Sequence, residues 1–450
     1  MYVRGGNVDQ NLILLDDAPV YNAYHLLGFF STFNSDAIKD LTLYKGSAPA
    51  QYGGRLSSVI DIKMNEGNNK KVETSGGIGL ISSHLNVEGP IVKDKGSLLV
   101  TARRTYADLF LKLSSSSTLS NNTLYFYDMN AKANYRLNAK NQVFLSGYLG
   151  RDVLGFGSTF GLNWGNSTAT FRWNHLLNEK TFSNTSLIFS DYSYKISNTS
   201  GSNDFSITSR IRDWNFKQEL QFFPNPANAI KLGLNSIYHT VTPGQVSGST
   251  STGATPPTLQ DRYGLENALY ASNDWKATTR LNVSYGLRLS SFSLLGAGDF
   301  YGYDADGNVV STQTYTSGQV VKSYLFLEPR ISASFMLNDV SSLKASYTRN
   351  TQNMHIVSNS TSSNPTDLWI MSSNNVKPQI ADQVALGYFR NLADNRFEFS
   401  TETYYKKLQN QIDLRQGPTY GPTTKSRASY CSALVGLTAS SFYSRRKQAG

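Results

Sequence analysis

The stretch LYKGSAPAQYGGRLSSVIDIKM, residues 43–64, joins two alternating segments through a turn rich in small residues. Alternation of apolar and polar residues stops at Gly46 and resumes at Val59. Gly53 and Gly54 lie between the two segments, where glycine permits tight turning of the backbone. The stretch therefore predicts two short strands joined by a glycine-punctuated turn. It stands in front of several hundred residues of polar, tyrosine-rich sequence.

The composition is typical of a protein with one surface that faces water and another that faces hydrocarbon. Of the 450 residues, 39% are hydrophobic and 16% are charged, and 27 Tyr and 23 Phe are present. The formal charge is +10, but the Lys and Arg residues form no dense block, which argues against nucleic-acid binding. No stretch of the sequence reaches the ~18 consecutive apolar residues of a transmembrane helix.

Cysteine and histidine usage gives no sign of a metal or redox site. Because Cys431 is the single cysteine, neither a disulfide framework nor a cysteine-based zinc site is expected. The five histidines lie far apart along the chain, at His25, His84, His175, His239 and His355. No set of residues has the spacing of a catalytic triad or a carboxylate pair. The sequence predicts no metal, no cofactor and no enzymatic activity.

The connections between alternating segments are short and long in turn. Very short turns occur at residues 138–141, 178–180, 225–228, 276–279, 338–339 and 393–395. Long polar stretches include residues 244–260, 296–319 and 356–379. Outer-membrane β-barrels show this rhythm, with tight periplasmic turns and long extracellular loops. The blades of a soluble propeller are the alternative, but these turns share neither a motif nor a constant interval.

Within the segments, residues alternate with the two-residue period of a strand. In RLNVSYGLRLSSF, residues 280–292, Tyr285 and Leu287 share one face while Gly286 and Arg288 share the other. Aromatic residues gather near the short turns, as in an interfacial girdle: Trp173, Phe222, Phe223, Trp275 and Phe335. About fifteen such strands fit between residues 72 and 413. The predicted fold is mainly β, a partial antiparallel transmembrane β-barrel, followed by an atypical tail at 414–450.

Residues 1–67 precede the barrel pattern. Their sequence predicts a small α/β unit. NLILLDDAPVYN, residues 11–22, is typical of a buried strand followed by a turn, because Pro19 cannot continue a ladder. Ser35 or Asp36 offers the N-cap of a short helix, and a strand that closes at Gly46 follows.

Two stretches of this unit resemble the plug domain of TonB-dependent outer-membrane receptors. They are VRGGNVDQNLILLDDAPVYN, residues 3–22, and DAIKDLTLYKGSAPAQYGGRLSSVIDIKMNEG, residues 36–67. A looser barrel resemblance continues to about residue 413 and is best at LEPRISASF (327–335) and TETYYKKL (401–408). The resemblance implies these plug-motif residues: Gly5, Gly6, Asp16, Pro19, Gly46, Tyr52, Gly53 and Gly54. Asp17 and Ala18 depart from the Gly and Val that are more usual in the family.

The resemblance implies energy-coupled import of a bulky, scarce nutrient of the siderophore, cobalamin, glycan or peptide class. In this family the plug sits inside the barrel, substrate binds from outside, and the periplasmic TonB complex pulls on an N-terminal box. The implied partners are the TonB complex, outer-membrane lipid and an extracellular small or oligomeric substrate. The implied location is the outer membrane of a Gram-negative bacterium. A passive porin or a surface-binding barrel is the alternative function.

Two features of the sequence depart from the family pattern. No TonB box precedes the plug motif, and about fifteen strands fall short of the ~22 of plugged transporters. We therefore expect a family fragment, truncated at both ends, that does not support energised uptake alone. The sheet is expected to stay open, with an unpaired edge at its C-terminal end. Residues 1–67 are expected to lie within its curve.

Candidate site residues follow from the same resemblance. Family plugs use arginines against lumenal glutamates, so Arg4 and Arg55 are expected to face Glu328, Glu398 or Glu402. The alternative is that each of these residues is simply a solvated lumen charge. Substrate contacts are expected in the long loops, from Tyr301, Tyr303, Asp367 and Trp369.

Overall fold

Two β-structures, a small unit and a large curved sheet, account for most of the chain. The computed structural model describes residues 2–199, 204–248, 259–304, 307–358, 364–412 and 432–444, the last range for its backbone only. Cys431 lies outside these ranges. Within them, no helix combines the length and the apolar character needed to cross a bilayer.

The N-terminal unit is built around a four-stranded sheet. Its strands are β1 (Asn11–Leu15), β2 (Ala18–Pro19), β5 (Ile38–Lys45) and β6 (Ser58–Met64), in the order β2-β1-β6-β5. A two-stranded ribbon, β3 (Tyr24–His25) and β4 (Phe30–Ser31), is inserted between them. Strands β1 and β6 run parallel, and the other pairs of this sheet are antiparallel. As predicted, the opening stretch forms two strands, the end of β5 and β6, on either side of the glycine-rich turn.

The short helix predicted in this unit is a single 3-10 turn, Ser35–Ala37. Its N-cap is neither Ser35 nor Asp36 but Asn34, whose side chain accepts a hydrogen bond from the Asp36 backbone nitrogen at 3.2 Å. The chain passes straight into β5 at Ile38, so no room remains for a longer helix. Two further 3-10 turns occupy Val8–Gln10 and Leu26–Gly28.

The large sheet is antiparallel, and in the described ranges its first fifteen strands run from Glu73 to Gln409. They are β7 (Glu73–Ile78), β8 (Ser82–Val92), β9 (Gly96–Thr105), β10 (Thr123–Asn138), β11 (Asn141–Phe156), β12 (Phe160–Asn178), β13 (Thr181–Asn198), β14 (Phe205–Asn225), β15 (Asn228–Gly248), β16 (Arg262–Lys276), β17 (Leu281–Leu295), β20 (Val320–Asn338), β21 (Ser341–Gln352), β24 (Gln379–Leu392) and β25 (Phe397–Gln409). The predicted number of strands is confirmed.

A sixteenth strand, β26 (Ser432–Ser444), pairs with β25 along its backbone. The strand array therefore extends past residue 413 into the stretch that was expected to be an atypical tail. Among the described strands, β7 and β26 lie at opposite ends of the sheet and do not pair with each other. The sheet is thus open, as predicted.

Side chains along the strands alternate as the sequence predicted. In β17, Tyr285, Leu287 and Leu289 are 47%, 45% and 40% exposed, while Arg288 and Ser290 are almost fully buried. The aromatic residues near the short turns are likewise exposed on the outer surface. An apolar outer face and a polar inner face are what a barrel needs between lipid and a lumen.

The long connections carry structure of their own. Residues 106–122 contain two short helices, α1 (Ala107–Lys112) and α2 (Ser117–Ser120). The connection between β17 and β20 forms a ribbon of β18 (Gly298–Tyr303) and β19 (Val309–Tyr315). The connection between β21 and β24 forms a second ribbon, β22 (Met354–Val357) and β23 (Leu368–Met371), here called the mouth hairpin.

The small unit lies within the curve of the large sheet. Its residues contact inward-facing side chains at both ends of the strand order, from Arg103 on β9 to Glu402 on β25. Because the same unit reaches strands so far apart in the order, the sheet must bend around it. The predicted topology is confirmed, and the small unit is called the plug below.

Candidate functional site

Two buried arginines of the barrel wall hold the turn of the opening stretch. Arg288 on β17 and Arg330 on β20 are 1% and 6% exposed. Arg330 also donates to the buried carboxylate of Glu328 at 3.0 Å. Its Nη1 donates to the backbone oxygens of Ala48 (3.2 Å), Pro49 (2.7 Å) and Tyr52 (2.6 Å), and Arg288 Nη1 lies 3.5 Å from those of Ala50 and Gln51. The turn is thus fixed through its carbonyl groups.

The glycines of this turn are explained by the same contacts. A Cβ on Gly53 would lie 2.4 Å from the Arg288 Nε atom, far inside contact distance. Gly46 has a φ of +82°, and a Cβ there would lie 2.0 Å from the side-chain nitrogen of Gln383. Each glycine therefore lets the plug backbone approach a polar group of the wall.

The turn between β1 and β2 places two carboxylates among cations. Asp17 lies 3.3 Å from Lys63 of the plug and 3.5 Å from both Arg172 and Lys217 of the wall. Burial alone would raise the pKa of Asp17, but the three positive charges hold the pKa well below its usual value. Asp16 forms a similar pair with Lys132 of β10, at 3.0 Å.

The structure brings one of the predicted charge pairs together. Arg4 donates to Glu402 at 2.6 Å and lies over the Tyr404 ring, 5.5 Å from its centroid. Glu328 pairs with Arg330 of its own strand, and Glu398 lies exposed near a short turn. Neither therefore receives a plug arginine. In most of the other charged contacts the cation belongs to the wall, and the acceptor is a carboxylate or carbonyl group of the plug.

Arg55 contacts none of the predicted glutamates. Its Nη1 donates to the Gly54 carbonyl at 2.8 Å, and its guanidinium lies 5.9 Å from the ring centroid of Tyr21 and 5.5 Å from that of Trp369. The structure therefore puts Arg55 on the side of the plug that faces the mouth hairpin.

Acidic residues of the wall anchor the plug segment that follows β2. The Tyr21 hydroxyl donates to Asp213 at 2.5 Å, and His239 lies 2.7 Å from the same carboxylate. His25 packs face to face on a barrel phenylalanine, and its Nδ1 lies 2.6 Å from Asp152. In the described ranges, no group of three or more His, Cys, Asp or Glu side chains has the arrangement of a metal site.

The mouth hairpin folds inward over the plug. The buried carboxylate of Asp9 accepts hydrogen bonds from Gln352 Nε2 at 2.8 Å and from the Ile356 backbone nitrogen at 3.2 Å. Burial raises the pKa of Asp9. Trp369 meets the Tyr21 ring edge-on, with the ring centroids 5.1 Å apart. A cavity of about 30 Å³ remains between plug and hairpin.

The four predicted loop residues have different environments. Tyr301 is 39% exposed, and Tyr303 and Asp367 are half-buried. Trp369 is only 6% exposed and packs against Tyr21 of the plug, whereas the other three residues are more open to solvent. The backbone oxygen of Tyr301 accepts hydrogen bonds from Asn374 and Asn375, which ties the two loop ribbons together.

The sequence patterns did not identify the wall residues that hold the plug. They are Lys132, Arg172, Lys217, Arg288, Arg330 and Asp213. Each stands on the inner face of a strand, and the period-2 pattern had already assigned Arg288 to that face. The pattern carries no signal for which inward residue meets the plug, because this depends on how the two units dock.

Comparison with known proteins gives the same assignment over most of the chain. Residues 1–59 match the family model described as TonB-dependent Receptor Plug Domain. Residues 96–443 match the model described as TonB dependent receptor-like, beta-barrel. No curated protein matches the chain by sequence.

Solved structures share the fold at low sequence identity. The ferric-catecholate import receptor Fiu from E. coli K12 gives a TM-score of 0.66 at 13% identity, over 97% of this chain and 70% of that one. The alcaligin receptor FauA from Bordetella pertussis gives 0.63 at 13%, over 96% and 67%. The hemophore receptor HasR from Serratia marcescens, solved with its hemophore HasA and heme, gives 0.64 at 14%, over 96% and 71%. With a plug and a barrel that both match, the chain belongs to the TonB-dependent receptor family.

Proposed function

We propose that this protein is a TonB-dependent outer-membrane receptor for energy-coupled import of a bulky, scarce nutrient. The candidate substrate classes are siderophores, cobalamin, glycans and peptides. Its proposed location is the outer membrane of a Gram-negative bacterium, and its proposed partner is the TonB complex. Family membership supports this, since the similar structures include receptors named for a ferric catecholate, for alcaligin and for a hemophore.

The observation that carries the proposal is the polar seal between plug and wall. Arg330 and Lys132 reach from the wall to plug carbonyls or carboxylates, and Arg4 reaches from the plug to Glu402. Water can replace hydrogen bonds and ion pairs of this kind when the plug moves, whereas a broad apolar interface would resist separation. Contacts of this kind suit a passage that is closed at rest and opens when energy is supplied to move the plug.

A passive porin is the competing function, and the filled lumen argues against it. The plug occupies the curve of the sheet, and the cavity beneath the mouth hairpin measures only about 30 Å³.

Uptake measured with and without TonB tests the proposal. The full-length gene product is expressed in a receptor-deficient strain, and labelled ferric siderophores, cobalamin, oligosaccharides and peptides are supplied one at a time. We expect saturable uptake of one class that disappears when TonB is deleted. Uptake that is linear in concentration and indifferent to TonB would instead establish a passive channel.

A further inference from the structure

Three arginines come together on the outer face of the large sheet, here called the arginine cluster. They are Arg151 on β11 and Arg210 and Arg212 on β14. Successive side chains of a strand point to opposite faces. Asp152 contacts His25 of the plug, and Asp213 contacts Tyr21. The arginines next to these two aspartates therefore point away from the plug, toward the outside of the sheet.

Strand β13 holds the three guanidinium groups together. Asp191 Oδ2 accepts hydrogen bonds from Arg210 Nε at 2.6 Å and from Arg212 Nε at 3.1 Å. Ser193 lies two positions further along the same face and accepts a hydrogen bond from Arg151 Nη1 at 3.2 Å. Arg151 reaches β13 across β12, whose residue at this level is a glycine and so leaves the way open.

The arginine cluster has an excess of positive charge and spare hydrogen-bond donors. Among the described residues, Asp191 is the one carboxylate within ion-pair distance of the three guanidiniums, so it offsets one charge of three. Both arginines of β14 contact it through Nε, which leaves their Nη groups for a further acceptor. The side chains of these two arginines are 44% and 38% exposed. Guanidinium forks match the oxygens of a phosphate group in both geometry and charge.

Strand geometry places the cluster at one border of the apolar outer surface. On the same face of β14 follow Trp214, Phe216 and Leu220, all exposed, and then Phe222 beside the short turn. Phe222 is ten positions from Arg212, which at ~3.4 Å per residue and a strand tilt of ~40° is about 26 Å across the membrane. The apolar band of outer-membrane barrels is ~25 Å tall. The cluster therefore lies at the head-group level of the leaflet opposite the short turns.

We propose that the arginine cluster binds the phosphate group of a lipid in the extracellular leaflet, with the acyl chains along the exposed side chains from Trp214 to Leu220. This inference goes beyond import and rests on the proposed outer-membrane location. Charge complementarity favours an anionic head group, because two positive charges of the cluster are not offset. The apolar surface directly below favours a lipid over a soluble anion.

Native mass spectrometry of the full-length receptor in detergent tests the site. The receptor is titrated with dioleoyl phosphatidic acid and with dioleoylglycerol, which has the same acyl chains and no phosphate. We expect phosphatidic acid to bind about thirtyfold more tightly, and Arg151→Gln, Arg210→Gln and Arg212→Gln together to remove this preference. Arg151→Gln alone breaks only the hydrogen bond to Ser193 and should reduce the preference about threefold, without disturbing the Asp191 pairs.

A matched triple variant removes three arginines near the short turns. It combines Arg136→Gln, Arg280→Gln and Arg396→Gln, which are exposed at the opposite ends of the strands. The change in net charge is the same, so the preference for phosphatidic acid should be retained. Equal losses in the two triple variants would show unspecific attraction to a basic protein and would overturn the proposal. Equal binding of the two lipids by the native receptor would overturn it as well.

Inorganic phosphate distinguishes a lipid site from a site for a soluble anion. Phosphate in about tenfold excess over the lipid should leave phosphatidic acid bound, because the acyl chains contribute to its affinity. Displacement by an equal concentration of phosphate would assign the cluster to a soluble anion and contradict the proposal. The titrations need neither TonB nor transport, so failure of the lipid site would leave TonB-dependent uptake intact. Failure of uptake would leave the lipid preference intact.

Discussion

Single residues of the wall act on the plug backbone more than on its side chains. Arg330 donates hydrogen bonds from one guanidinium nitrogen to carbonyls of the glycine-rich turn and from another to the Glu328 carboxylate. A carbonyl is present whatever side chain the plug carries, so such a contact constrains the shape of the plug segment and leaves its side chains free to vary. This constraint on backbone shape explains why the turn consists largely of glycine and other small residues.

Removing Arg330 should loosen the plug strongly. In Arg330→Ala, Glu328 loses its buried partner and the turn carbonyls lose their donor, so we expect the plug to be destabilised by about 3–5 kcal/mol. Calorimetry of the purified receptor should show a plug transition at lower temperature. Arg104→Ala, on the outer face, is the control and should leave that transition within experimental error.

The glycine next to Arg288 offers a second measurement. Gly53→Ala puts a methyl group 2.4 Å from the Arg288 guanidinium and should destabilise plug docking by about 1–3 kcal/mol. In an Arg288→Ala background the same change should cost much less, because the colliding group is absent. Equal costs in both backgrounds would show that the collision does not explain Gly53.

At the scale of elements, sequence periodicity predicted the strands and turns well. The short turns, the fifteen strands and the buried face of β17 needed only local pattern, because a strand repeats every two residues. The Arg4–Glu402 pair followed from the family resemblance. The 3-10 turn after Asn34 was misjudged as a helix, since a cap signal fixes where a helix starts and says nothing of its length.

The packing of the mouth hairpin on the plug could not be predicted from local sequence patterns. Residues 356–379 were predicted to be a long, irregular polar loop, and Trp369 a substrate contact within it. In the structure Trp369 packs against apolar residues of the wall and against Tyr21, which lies more than 300 residues earlier in the sequence. Contacts of this kind arise only when plug and barrel are docked, so no local pattern records them.

The ribbon β3–β4 should be held in a pH-dependent way. Burial lowers the pKa of His25, but hydrogen bonds and charges from Asp128 and Asp152 outweigh burial and raise the pKa above 6.5. Arg103, 2.6 Å from Asp128, and Tyr148, 3.3 Å from the imidazole, complete the surroundings. The stabilisation from protonated His25 is therefore full below about pH 6.5 and is lost as the pH rises through the folded-state pKa.

Hydrogen exchange of residues 22–33, corrected for intrinsic rates, measures this effect. Protection should decrease as the pH rises above about 6.5 and through the folded-state pKa of His25, and His25→Gln should abolish the pH dependence. His175→Gln, which lies beside the Asn141 end of β11 and not beside its Asp152 end, should leave it unchanged. A pH dependence that persists in His25→Gln would assign it to another group.

At the scale of the whole molecule, transport requires the plug to shift against the wall. A Cβ built on Gly286 of β17 lies 3.0 Å from the Ala50 Cβ of the plug and 2.9 Å from the Ala271 carbonyl oxygen, so a small outward shift of the plug turn and of β17 brings the pair to the ~3.5–4.5 Å separation found in disulfides. Oxidising the variant Ala50→Cys, Gly286→Cys should therefore tie the turn to the wall and abolish uptake. Reduction should restore uptake, and each single variant should transport under both conditions. Full uptake by the cross-linked receptor would mean that this turn stays in place.

Wall contacts are spread along the plug sequence, from Arg4 through Asp17 and His25 to Tyr52. A force applied at the Arg4 end loads the Glu402 pair before the later contacts come under tension. The anchors then rupture in sequence, as in peeling, and the peak force stays close to that of one anchor instead of the sum of all. Pulling single receptors held by the barrel should give a series of small steps. One large rupture would show that the anchors share the load.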